Sequence, residues 1–300
     1  MRFNVGLLLL SLTGCADAAS ALKRPHSVGV TSTSPLNDEA NSSQTIAQPS
    51  EVVPPAPVEI VAPKPANEAP VDLRMPTEWS GDLARSGPER VAHAKAARKE
   101  TVLELFEQAG VTFPAKDVLF RVFKAERQLE LWAGDGEHEL SRIASYGICA
   151  ASGDLGPKRN EGDRQVPEGF YEVSYYHPTS AYYLAAVINY PNASDKVRGG
   201  RKPGSDILIH GHCASIGCIA MTDERIEEIY LVGWSAFMLG QKTHVHIFPS
   251  RDFDGLLNDP RHEANHAFWR ELRPGFEAFE STRRIPRIKV AKDGRYELLP

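Results

Sequence analysis

Apolar positions along the chain change period several times, and each change marks an expected element. Val91, Ala94, Val102, Leu105, Phe106 and Ala109 recur at helical spacing and share one face. Ser86-Gly87-Pro88-Glu89 before them has capping-box spacing with an early proline, and Gly110 follows as a stop. This predicts a helix over 87–109 whose Arg and Lys residues form a solvated face. From residue 118 the pattern turns strand-like: 118–123 and 128–132 read as a hairpin around 124–127. Further strands are expected over 142–149, 169–175, 183–189, 206–210 and 243–248, with turn-rich stretches between them, notably 153–162. A helix is expected over 221–239, with Thr222 or Asp223 as N-cap, and two more near 263–272 and 275–284. The sum is a β-rich core with peripheral helices and no internal repeat.

The N-terminal part follows other rules. Arg2 precedes an apolar run over 5–12, which ends in Leu12-Thr13-Gly14-Cys15. The run is too short for a membrane span, which needs roughly 20 apolar residues, and reads as a secretory leader. Its ending resembles the bacterial lipobox, which makes Cys15 the expected lipidation site; the alternative is a plain leader cut within 16–19. Residues 16–78 carry no aromatic and are rich in Pro, Ala, Ser, Glu and Asn, so they cannot bury enough apolar surface to offset ordering entropy. They read as a linker spanning on the order of 40 Å root-mean-square. Order is expected to begin near Trp79. The chain is therefore expected to be exported, periplasmic and tethered to a membrane by an N-terminal lipid anchor. Ala16 after the lipidated cysteine favours the outer membrane.

Composition narrows the classes. The chain has 300 residues, 42% hydrophobic and 24% charged, which is ordinary globular composition. A net charge of -5 argues against a nucleic-acid partner. The four cysteines are too few for a disulfide-stapled small fold, so each needs its own explanation.

The chemistry concentrates in Ile207-Leu208-Ile209-His210-Gly211-His212-Cys213-Ala214-Ser215-Ile216-Gly217-Cys218-Ile219-Ala220-Met221-Thr222-Asp223. An apolar strand ends on a histidine, a glycine-containing turn follows, and a cysteine heads toward a helix. A nucleophilic thiol needs a nearby base and a low pKa; an imidazole supplies the first, and a helix N-terminus helps the second. The amides of Gly217 and Cys218 are then candidate oxyanion donors.

His-Gly followed by Ser-x-Gly-Cys resembles the motif of the L,D-transpeptidase (YkuD-type) catalytic domain. The compact spacing and the ending Cys-Ile-Ala-Met-Thr-Asp are similar to its YafK-like murein branch. Ser152-Gly153-Asp154-Leu155-Gly156-Pro157-Lys158, Glu161-Gly162-Asp163-Arg164-Gln165-Val166-Pro167-Glu168-Gly169-Phe170-Tyr171, Asn189-Tyr190-Pro191-Asn192 and His244-Val245-His246-Ile247-Phe248-Pro249 add to the likeness. The resemblance implies a β-sandwich-like catalytic domain over 115–285, after a helical region at 79–114 and before a tail at 286–300. It implies Cys218 as nucleophile, His210 as base, Gly211 and Ser215 as shaping residues and Gly217 in the oxyanion region. The implied substrate is the meso-diaminopimelate carbonyl of peptidoglycan stem peptides, attacked through a thioester, with no cofactor. A wall-linked lipoprotein is one implied partner. Many members have His at the position of Ile216 and Arg or Asn at that of Ala220, which leaves the acceptor open.

Other readings compete. His210, His212, Cys213 and Cys218 could ligate zinc, but four ligands within one strand and turn are cramped, so no metal is expected. Cys213 is expected either to pair with Cys149 or to stay reduced with it; a Cys213–Cys218 bond would block the nucleophile. His212 is expected beside the catalytic pair or in solvent, and Arg159, Arg164 and Arg198 at the surface. Because muropeptides carry carboxylates, Arg164 is a candidate substrate contact, as are Tyr182, Asn189 and Tyr190. The rival function is a catalytically silent wall-binding or anchoring lipoprotein on the same fold.

Overall fold

The computed structural model describes residues 85–300. The leader ending at Cys15, the 16–78 linker and the onset near Trp79 lie outside them. The expected β-rich fold with peripheral helices is what the described chain forms. One eight-stranded mixed sheet holds β1 (Asp117–Phe123), β2 (Gln128–Gly134), β3 (Ser141–Gly147), β4 (Gly169–Ser180), β5 (Tyr183–Ile188), β6 (Leu208–His210), β7 (Ile219–Ala220) and β8 (Thr243–Phe248). Their order is β3-β2-β1-β8-β4-β5-β6-β7. β4 is the hinge of this sheet: its residues 169–172 pair with β8, and its residues from Val173 to Ser180 pair with β5 across two register shifts.

Strand alternation gives the sheet two apolar faces. In β1, Val118, Phe120 and Val122 point to the face covered by α1 (Gly87–Gln108) and α3 (Asp223–Met238), whereas Leu119 and Phe123 join the clusters under α5 (Glu263–Thr282). α1 starts as expected, with a reciprocal capping box between Ser86 and Glu89. Its basic residues are not all solvated: Arg90 is buried and donates to the carbonyls of Ser180 and Tyr183 at 2.8 and 2.9 Å. Both carbonyls lie at the β4–β5 turn, and the guanidinium, buried there, is satisfied by them.

α5 corrects a second expectation. It is one helix, not two, despite Pro274 inside it. Phe268, Trp269, Leu272 and Phe279 are buried on both sides of the proline, so a single stripe docks on the sheet and offsets the lost backbone hydrogen bond. His244 and His246 sit two residues apart in β8 and so share the α5 side; His246 is buried and His244 is partly exposed. Arg159 and Arg198 are less exposed than expected, since both guanidinium groups pack over Phe268. Elements the sequence pattern did not announce include α2 (Ala193–Arg198), α4 (Phe253–Asn258) and a C-terminal hairpin of β9 (Ile288–Val290) and β10 (Tyr296–Leu298). Tyr296 of the hairpin is buried against Phe170.

Candidate active site

β6 and β7 are parallel neighbours, pairing Ile209 with Ile219 and His210 with Ala220. Parallel neighbours normally need a crossover of a dozen or more residues; here only 211–218 makes the return. That short return demands unusual backbone: His212 at φ 61°, Cys213 at φ 35° and Gly217 at φ 130°. Gly217 also lies against the neighbouring loop, where a Cβ would sit 3.3 Å from the Gln165 carbonyl, so the position suits glycine on two counts. A Cβ on Gly211 would lie 2.6 Å from Asp223 Oδ1.

Several bonds hold the loop. Met221 N–H donates to the His210 carbonyl at 2.7 Å, and Cys213 N–H to the Met221 carbonyl at 3.2 Å. Cys213 is disulfide-bonded to Cys149, with the Cα atoms 5.2 Å apart. Of the two alternatives for these cysteines, the bonded one is present, and Cys218 is a free thiol. The bond also removes Cys213 from the four-ligand zinc set.

His210 is about 1% exposed at the end of β6. Its Nδ1 is 2.6 Å from the Gly211 carbonyl oxygen. A carbonyl only accepts, so Nδ1 carries the proton and Nε2 keeps a lone pair. The Tyr182 ring covers the imidazole at 4.5 Å between centroids. Burial pushes the His210 pKa down to about 4, against the bond to Gly211, which favours the cation, and with a further push from His212. The ring is therefore neutral at neutral pH, with the Nε2 lone pair available.

His210 pairs with Ala220, and Cys218 stands immediately before β7, two residues ahead of that partner. Its thiol is partly exposed, and Sγ lies 3.8 Å from the Asp206 carbonyl. Two expectations need correction. Cys218 leads into β7, not into a helix; α3 begins only at Asp223, with Thr222 as its N-cap, so the helix terminus does not sit on the thiol. The amides of Gly217 and Cys218 both donate to Ser215 Oγ, at 3.2 and 2.9 Å, while that hydroxyl donates to the Cys218 carbonyl at 2.6 Å. Ser215 thus shapes the turn at Cys218 and occupies both amides, so neither is free as an oxyanion donor here.

His210, Gly211, Ser215, Gly217, Cys218 and Tyr182 come together. Arg164 is exposed beside them, in a loop whose backbone faces Gly217, and its carbonyl accepts from Ser152 Oγ at 2.9 Å. Asn189 and Tyr190 are placed differently. Asn189 Oδ1 accepts from Glu172 N–H at 3.0 Å, and the Tyr190 hydroxyl donates to the Pro203 carbonyl at 2.9 Å. Both polar ends are spent on holding strands and loops. His212 is not in solvent: its side chain is buried, parallel to Tyr183, and its amide donates to Asp223 Oδ1 at 2.8 Å.

Sequence reasoning missed Asp163 and Glu168. Asp163 accepts from Lys158 Nζ at 2.6 Å and from the amides of Arg159, Asn160 and Gln165. Burial opposes its ionisation, but these bonds prevail and lower its pKa. Glu168 is fully buried and accepts from Gly156 N–H and Trp269 Nε1, both at 2.7 Å, with Lys124 Nζ 3.0 Å away. An Asp after Gly in a turn-rich stretch was the only available signal for the first. Nothing local signals the second.

The titration of His210 gives a stability prediction. Its folded pKa lies below the unfolded value near 6.5. Below pH 6.5 the unfolded chain takes a proton that the folded chain refuses, so this group's stabilisation is complete above pH 6.5. It is lost as pH falls toward about 4, at up to about 1.4 kcal/mol per pH unit. Urea unfolding of wild type and His210→Gln between pH 4 and 8 is expected to show a shallower acid decline in the variant; parallel curves would refute it.

A family model for the L,D-transpeptidase catalytic domain (YkuD) matches residues 117–233. β8, which lies between β1 and β4 in the sheet, falls beyond that match. The chain is 41% identical over 182 residues to YafK of Escherichia coli (strain K12), a provisionally assigned L,D-transpeptidase, covering 60% of this chain and 72% of the relative. The same figures hold for YafK of Escherichia coli O157:H7. Among solved structures, the helical cell shape determining protein Pgp2 from Campylobacter jejuni is 19% identical, with a TM-score of 0.37, over 63% of this chain and 80% of that one.

Proposed function

The chain belongs to the YkuD-type L,D-transpeptidase family, and from that premise we propose that it is a cysteine acyltransferase or amidase acting on peptidoglycan stem peptides. The observation that carries this reading is the state of His210. Its Nδ1 is tied to the Gly211 carbonyl, which leaves the Nε2 lone pair available, on the strand beside the one that the free thiol of Cys218 leads into. Nε2 takes the thiol proton, and the thiolate attacks the carbonyl at the L-centre of meso-diaminopimelate. The C–N bond breaks, the leaving amine takes its proton from the His210 imidazolium, and a thioester remains on Cys218. Attack by water then gives hydrolysis; attack by an amine gives a crosslink or a bond to a wall-linked lipoprotein. Oxyanion stabilisation requires donors other than the two amides that Ser215 occupies, or a shift of Ser215 when substrate binds.

Export and a lipid anchor at Cys15 belong to the same proposal: the short apolar leader and the 16–78 linker suit an enzyme tethered to a membrane and reaching the wall. The test is direct. Purified protein is incubated with defined tetrapeptide and crosslinked muropeptides, and products are weighed by mass spectrometry. Loss or exchange of the residue attached to the L-centre carbonyl is expected. No consumption of any stem peptide would reject the reading in favour of a silent wall-binding protein.

A further inference from the structure

A cleft of about 470 Å³ is lined by Asn160, Glu161, Arg201 and Lys202, within the size range of small-molecule sites. None of these residues is used in the chemistry above. Two loops form its walls, and they are hydrogen-bonded to each other: Gly200 N–H donates to the Arg159 carbonyl and Glu161 N–H to the Lys202 carbonyl, both at 2.8 Å. Asp163 braces the first loop through the amides of Arg159 and Asn160. The cleft is thus a built feature of the fold.

Both walls run on to the nucleophile. The first continues to Gln165, whose carbonyl faces Gly217, and the second to Asp206, whose carbonyl faces the Cys218 thiol. The charges are also selective. Lys158 is paired with Asp163, Arg159 lies beside Asp195 and Arg198 is paired with Glu271. Arg201 and Lys202 remain exposed, with no ion-pair partner among the described residues, and Glu161 is equally unpaired across from them. Two cations and one carboxylate around a single cleft match a group that carries a carboxylate and an ammonium on the same carbon.

We infer that this cleft binds a zwitterionic amino-acid end, with Arg201 and Lys202 on its carboxylate and Glu161 on its ammonium. Resting on the function proposed above, that group is the free D-centre of diaminopimelate, held at the far end of the side chain whose L-centre carbonyl meets Cys218. The consequence is a preference for stems whose D-centre is neither amidated nor acylated.

The test measures binding, so it does not depend on turnover. Full-length Cys218→Ala protein, alone and with Arg201→Gln/Lys202→Gln or Glu161→Gln added, is titrated by calorimetry with three tetrapeptide muropeptides. One has a free D-centre, one has that carboxylate amidated and one has that amine acetylated. The double substitution is expected to weaken binding of the free form about tenfold, the scale of a charge-assisted contact, and to leave binding of the amidated form unchanged. Glu161→Gln is expected to weaken binding of the free form and spare the acetylated form. Equal losses on all three ligands, or no loss on any, would overturn the subsite. Selective loss here, together with an inactive wild type in the product assay, would keep the subsite and reject only the reaction.

Discussion

Replacing Cys218 by alanine is expected to lower turnover of stem peptides at least ~10³-fold, because a covalent route has no substitute for its nucleophile. The same change is expected to leave the fold almost untouched. The thiol is partly exposed, its Sγ approaches the Asp206 carbonyl at 3.8 Å, and the turn around it is held through backbone atoms and Ser215. Unfolding free energies of wild type and variant from urea titrations are therefore expected to agree within about 1 kcal/mol. Mass spectrometry adds a second readout: a muropeptide thioester should accumulate on the wild type and be absent from the variant. Retained activity in Cys218→Ala would remove the cysteine from the chemistry, whatever family the chain belongs to.

The largest effect on stability is expected at Glu168, a residue that touches no substrate. Its buried carboxylate joins three parts of the molecule: the amide of Gly156, the indole of Trp269 on α5 and the ammonium of Lys124 after β1. Alanine leaves two buried donors unsatisfied and a lysine without its counter-charge. Lys124 keeps the carbonyls of Gly156 and Val166, but nothing opposite to its charge replaces Glu168. Loss of one partner from such a network costs about 3–5 kcal/mol, read as a fall in the urea midpoint. Glu168→Gln keeps an acceptor and a similar volume and is expected to cost less. Activity is expected to fall as well, since Glu168 ends the 153–168 stretch whose Arg164–Gln165 backbone lies against Gly217.

Much of this protein was legible in residue order because the relevant physics is local. The capping box of α1, the β1–β2 hairpin and the bounds of β8 follow from side-chain period and capping chemistry, which act over a few residues. The compact His210-to-Cys218 segment could be read the same way, since both side chains arrive on one short piece of chain. Where the chain departs from expectation, a distant partner decides. Pro274 stays helical because Trp269 and Phe279 dock on the same sheet, and Arg90 is buried because the β4–β5 turn offers it carbonyls.

The site divides along the same line. The sequence by itself singled out His210 and Cys218 as candidates for proton exchange and thioester formation, because the residue types and their spacing suit that chemistry. Only the tertiary structure decided how they are poised. It buried His210 and so lowered its pKa, tied Nδ1 to Gly211, turned two amides toward Ser215 and joined Cys213 to Cys149. It also brought Glu161 to Arg201 and Lys202 around one cleft. The burial of His210, the disulfide and the cleft depend on desolvation and on contacts between residues far apart in the chain, and neither exists until the sheet has formed.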